Sequence, residues 1–140
     1  MTIKNGEDII MTPVKLIRRA KEAMQHAYTP YSNFKVGAAL LTAEGKVYLG
    51  CNIENAAYSP SNCAERTAFF KAVYEGERNF TAIAVVGGRN GVIEDIFPPC
   101  GVCRQVMQEF CGPDFMIYMG RSDDSYVAVR LEDFLPYGFS

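Results

Sequence analysis

From Thr81 to Val86 the chain runs Thr-Ala-Ile-Ala-Val-Val, a continuous apolar, β-branched run without the alternation of polar residues. A strand with one wet face alternates apolar and polar residues, so this run predicts a central strand covered on both faces. Helices packed on the two sides of a sheet supply such cover, and three segments read as helices. Residues 13–28 follow a Thr12 N-cap, place Pro13 at the first helical position and repeat Ile17, Ala20, Met24 and Ala27 at helical spacing. Residues 63–74 and 100–110 are the second and third. Residues 35–41 and 47–49 form strand-like runs around Ala43-Glu44-Gly45-Lys46, a hairpin; 115–119 and 126–130 are further strands, and 131–135 hold at most one turn of helix. Residues 52–62 read as a loop and Gly87 to Gly91 as a turn. The pattern predicts an α/β fold, a three-layer α/β/α sandwich on a mixed sheet. At 140 residues it fits one domain, 1–140, with 1–11 as an N-terminal extension.

Charge narrows the partners. The 14 Lys and Arg residues are scattered and the net charge is -2, so the basic stripe that a polyanion requires is missing and no nucleic acid polymer is expected to bind. The first residues contain no apolar core of signal-peptide length, and no apolar run is long enough to span a bilayer. A soluble, cytoplasmic protein with no membrane partner is the expectation. In that compartment five cysteines, two of them spaced Cys-x-x-Cys, point to metal or redox chemistry before disulfides.

Cys63, Cys100 and Cys103 sit at the starts of the second and third helices, where free backbone N–H groups lower thiol pKa. Cys100 and Cys103 are three apart and share a helical face. With Cys63 they give three thiolates, and no fourth ligand is evident, because the single histidine, His26, lies in the first helix among no ligand-like neighbours. Three ligands leave a zinc ion one position for water, and Glu65 offers a carboxylate beside it, which favours a catalytic over a closed structural site. Arg66 is placed to donate to the thiolates and offset their charge. A redox Cys-x-x-Cys pair, or Glu65 as part of an Asn62-x-x-Glu65 capping box, are the competing readings. Cys51 and Cys111 read as structural.

Asn52 and Glu54 lie two apart in an extended segment and point to one side, an amide and a carboxylate suited to ribose hydroxyls.

Cys63-Ala64-Glu65 followed by Pro99-Cys100-Gly101-Val102-Cys103 resembles the signature of the zinc-dependent deaminases. Tyr31-Ser32-Asn33-Phe34-Lys35-Val36-Gly37, Gly50-Cys51-Asn52-Ile53-Glu54-Asn55-Ala56-Ala57-Tyr58 and Leu135-Pro136-Tyr137-Gly138-Phe139 extend the likeness to the small homotetrameric cytidine deaminases, over residues 13–139. The resemblance implies one zinc per subunit on Cys63, Cys100 and Cys103, with Arg66 supporting the thiolates. It makes Glu65 the proton carrier in the hydrolysis of cytidine and 2'-deoxycytidine to uridine and 2'-deoxyuridine in pyrimidine salvage. It also implies nucleoside contacts from Phe34, Asn52, Glu54, Ala56, Tyr58, the Ala64 backbone N–H and Phe139. Of these, Ala56, Tyr58 and Phe139 would reach sites completed by neighbouring subunits of a homotetramer. Deamination of another aminopyrimidine, or a zinc site that only binds, are the alternatives.

Overall fold

The computed structural model of the chain describes residues 2–4 and 8–140. The sheet has five strands in the order β4-β3-β5-β6-β7, made of β3 (Phe34–Thr42), β4 (Val47–Cys51), β5 (Phe80–Arg89), β6 (Met116–Gly120) and β7 (Tyr126–Arg130). Only β5 and β6 pair in parallel, so the sheet is mixed, and β5 is its middle strand. The unbroken apolar run thus lies at the centre. Alternation along β3 and β5 sorts two cores: Val36, Ala38, Leu40, Ile83 and Val85 face one side, Ala39, Leu41, Ala82, Ala84 and Val86 the other.

Helix α1 (Pro13–Met24) covers the second side with Leu16, Ile17, Ala20 and Met24, all nearly inaccessible to water. Each large aliphatic side chain buried there contributes about 1.5–3 kcal/mol. The Thr12 hydroxyl caps it, accepting from the Lys15 N–H at 3.2 Å. The helix ends four residues before the expected Tyr28, because the backbone of Tyr28 is taken by another partner. Its N–H donates to Asn52 O at 3.0 Å and its carbonyl accepts from Glu54 N–H at 2.9 Å.

Helices α2 (Ala64–Tyr74) and α3 (Gly101–Phe110) cover the first side, followed by the short α4 (Leu131–Phe134). Phe69 of α2 is fully buried among Phe80, Phe110 and Phe115, ring centroids 5.2, 6.2 and 6.1 Å away, and so fixes α2 against α3 and the sheet. Close approach of α2 to β4 depends on Gly50, where an added Cβ would lie 2.3 Å from Ala64 O and 2.6 Å from Ala68 N.

One expectation needs correction. Gly87, Gly88 and Arg89 are strand, pairing with Val36, Lys35 and Phe34, and the chain turns only at Asn90 and Gly91, both at positive φ. Gly88 is a packing residue, since a Cβ there would fall 1.9 Å from Val92 O. Within the expected N-terminal extension the structure adds a two-stranded sheet, β1 (Thr2–Lys4) with β2 (Asp8–Ile10); residues 1 and 5–7 of that extension lie outside the described residues.

Candidate active site

Cys63 and Cys100 are the N-cap residues of α2 and α3, both extended and neither making a side-chain cap hydrogen bond. Each helix therefore begins one residue later than its cysteine and points its first-turn N–H groups and positive dipole end toward the thiols. Cys103 lies one turn into α3 and is buried. The three sulfurs lie within 4.8 Å of one another, Cys63 to Cys100 at 3.9 Å and Cys100 to Cys103 at 3.6 Å. Zinc–sulfur bonds of about 2.3 Å at tetrahedral angles place sulfurs about 3.8 Å apart. The donor set fits zinc.

Its electrostatics ask for a cation. Cys103 close by, with the Arg66 guanidinium, pulls the Cys63 thiol down to about 5. Cys103 is pushed upward by Cys63 close by and by burial. A divalent ion binds thiolates, so its binding would displace the protons that remain on these sulfurs. Arg66 Nη2 donates to Cys63 Sγ at 3.0 Å, while its buried Nε has no partner.

Glu65 follows Cys63 by two residues, inside the first turn of α2, and is 2% exposed. Burial pushes its carboxyl up to about 7. It does not close a capping box: the Asn62 amide donates instead to Thr67 Oγ1 at 3.1 Å, and that hydroxyl to Cys63 O.

Cys63, Ala64, Glu65, Arg66 and Cys100 line a cavity of about 280 Å³ together with Phe34, Asn52 and Glu54. Asn52 is anchored to β3, its Oδ1 accepting from Val36 N–H at 2.9 Å and its Nδ2 donating to Phe34 O at 2.8 Å. Glu54 accepts from the N–H groups of Tyr31 and Ser32 at 3.0 and 3.1 Å and from the Ser32 hydroxyl. That hydroxyl, first among these donors, holds the Glu54 carboxyl below its usual range.

Phe97 also lines the cavity, its ring 5.0 Å from that of Phe34 and tilted by 37°. Sequence reasoning missed it; its place directly before Pro98-Pro99-Cys100 was the available signal. Ala56, Tyr58 and Phe139 lie outside the cavity lining of their own chain. Tyr58 is 74% exposed, edge-on to Tyr31, and Phe139 is 81% exposed, with Gln105 donating to its backbone carbonyl. His26 is exposed, and Cys51 and Cys111 are half-buried away from the cluster.

Residues 11–119 match the family model for the cytidine and deoxycytidylate deaminase zinc-binding region. The chain belongs to this family. It is 50% identical over 126 residues to a cytidine deaminase of Sporosarcina psychrophila, covering 90% of each protein, and 48% identical to one from Halalkalibacterium halodurans over 89% of this chain and 92% of that one. The structure of cytidine deaminase from Burkholderia pseudomallei matches with a TM-score of 0.85 at 48% identity, over 92% of this chain and 100% of that one. That from Mycobacterium tuberculosis matches with a TM-score of 0.76 at 38% identity, over 89% and 94%. The family's zinc-binding region contains all three cysteines and Glu65.

Proposed function

We propose that this chain hydrolyses the exocyclic amine of cytidine and 2'-deoxycytidine, giving uridine and 2'-deoxyuridine with release of ammonia, as a step of pyrimidine salvage. The observation that carries this reading is a buried carboxylate, Glu65, next to three sulfurs at tetrahedral-zinc spacing, where both open on one cavity. Cys63, Cys100 and Cys103 would hold a zinc ion, whose chemistry when bound would be to acidify a water beside Glu65. Glu65 takes a proton from that water and delivers it to N3 of the pyrimidine, which leaves C4 electrophilic. The hydroxide left by that transfer bonds to C4; Glu65 then carries this oxygen's remaining proton to the amino group, the C4–N bond breaks, ammonia leaves and a C4 carbonyl forms, so one side chain serves as base and then as acid. Arg66 limits the negative charge of the thiolates, and the Ala64 N–H holds the pyrimidine carbonyl.

Hydrogen-bond arithmetic defines the sugar end. A carboxylate offers about four acceptor positions, and Glu54 has three filled, one of them on Oε2. Asn52 retains one N–H on Nδ2. One acceptor and one donor suit a single hydroxyl, which both donates and accepts. A pair that addresses one hydroxyl tolerates the loss of another, in keeping with ribo- and deoxyribonucleosides as joint substrates. Phe34 and Phe97 supply apolar surface for the base.

The reading extends to a single catalytic domain acting as a cytoplasmic homotetramer, in which Ala56, Tyr58 and Phe139 serve a neighbour's site. Support comes from the exposure of Tyr58 and Phe139 outside their own cavity.

The test is conversion of cytidine to uridine by the zinc-loaded protein, followed by ultraviolet absorbance. Glu65→Gln should keep its zinc and lose turnover by about 10³-fold, within the range for a general acid–base. A near-normal rate in that variant removes Glu65 from the mechanism.

A further inference from the structure

Ser32 was no part of the site read from the sequence, yet its side chain touches two of that site's groups. Its hydroxyl donates to Glu54 Oε2 and accepts from Phe34 N–H at 3.0 Å, so both of its hydrogen-bonding directions are used inside the cavity wall. Its own N–H and that of Tyr31 fill Glu54 Oε1. The turn that carries Ser32 is itself fixed. Arg89 at the end of β5 donates to Ser32 O at 3.1 Å; Asn33, at φ 58°, donates its N–H to Thr29 O at 3.0 Å and accepts from Asn90 N–H at 2.6 Å. A surface serine is normally free to rotate, and its hydroxyl has no preferred partner. This one is set between a carboxylate and a backbone amide by a turn clamped to the middle strand.

We propose that Ser32 is a positioning residue, whose hydroxyl ties the Glu54 carboxylate to the Phe34 backbone so that the sugar and the base of the substrate are gripped in one register. The proposal rests on the nucleoside-deaminating reading for what Glu54 and Phe34 hold. With Ser32 in place, Glu54 has one acceptor position left, and that position has a fixed direction. Without it, the carboxylate keeps two donors on one oxygen and can rotate the other away from the sugar.

The experiment compares cytidine with 2',3'-dideoxycytidine, which lacks the hydroxyl that would donate to Glu54, in wild type, Ser32→Ala and Ser32→Thr. Any disturbance of Phe34 affects both substrates alike, so the ratio of their kcat/KM values isolates the Glu54 arm. Loss of one hydrogen bond to a charged group should reduce that ratio about tenfold in Ser32→Ala, while Ser32→Thr, which keeps the hydroxyl, retains it. A second readout needs no turnover. By ¹³C NMR the Glu54 carboxyl should titrate higher in Ser32→Ala than in wild type or Ser32→Thr. An unchanged substrate ratio in Ser32→Ala, an equal loss in both variants, or an unchanged Glu54 titration overturns the proposal. A wild type that does not deaminate cytidine instead defeats the functional reading, and the Glu54 titration still decides whether Ser32 holds the carboxylate.

Discussion

Gly50→Ala tests whether the approach of α2 to the sheet sets the site. The new Cβ would lie 2.3 Å from Ala64 O and 2.6 Å from Ala68 N, both backbone atoms of the helix that carries Glu65. Neither can rotate aside. Restoring an ordinary contact of about 3.4 Å requires α2 to retreat by about 1.1 Å. Overpacking of this kind costs about 1–3 kcal/mol, equivalent to about 3–10 °C in Tm for a chain of this size. The larger effect falls on chemistry. Cys63 and Glu65 move with α2 while Cys100 and Cys103 stay on α3, and a misplacement of about 1 Å can lower turnover by about 10²-fold. Gly37→Ala is the control, because its Cβ would strike α1 on the opposite face, 2.1 Å from Ala20 O. The assay is melting temperature, zinc stoichiometry and cytidine kcat/KM for both variants. Gly50→Ala should lose far more activity than Gly37→Ala at a similar loss of stability. Equal activity losses, or an active Gly50→Ala protein with an unshifted Tm, would refute the reasoning.

Chelation that strips zinc should abolish turnover and lower Tm, since an ion that binds only the folded state stabilises it; replacing Cys103 by Ala should do the same and resist rescue by added zinc. Differential scanning fluorimetry with metal analysis checks both. Cys111 tests the alkaline side: burial pushes its thiol from the ordinary 9 up to about 12. Between those values the unfolded chain gives up this proton before the folded one does, so the Cys111 contribution to stability is full below pH 9 and declines as pH rises. Denaturant melts of wild type and Cys111→Ala across that window should show a smaller alkaline loss in the variant, and native protein at pH about 8 should leave Cys111 unalkylated by iodoacetamide.

The central strand and the covering helices were legible in sequence because local pattern and tertiary role agree there. Ala82 to Val86 has no polar residue to offer a wet face, and both of its faces are covered. That Cys63, Cys100 and Cys103 would come together was legible because a metal centre demands particular residue types at short spacing. Gly87 and Gly88 were misread because glycine is ambiguous: it permits turns, and it also makes room. Here a Cβ on Gly87 would meet the rings of Phe97 and Phe34 at 3.1 and 3.2 Å, a contact set by residues distant in sequence. The end of α1 was missed for a related reason, since the bonds that capture Tyr28 come from residues 52 and 54. Phe97 carries no motif of its own, and the motif that holds Ser32 assigns it no role; their neighbours in space give them meaning.

Asn52 has a bearing on how this scaffold can be re-engineered. Where β4 stops at Cys51, the Asn52 side chain takes over the pairing of β3, satisfying Val36 N–H and Phe34 O as a strand neighbour would. A library that randomises Asn52 to change sugar preference would therefore also unzip that edge, and most members would be discarded for poor folding before their selectivity could be scored. Variation at Glu54 and Ser32 touches the same cavity without breaking a ladder, which makes that pair the more tolerant place to vary its lining.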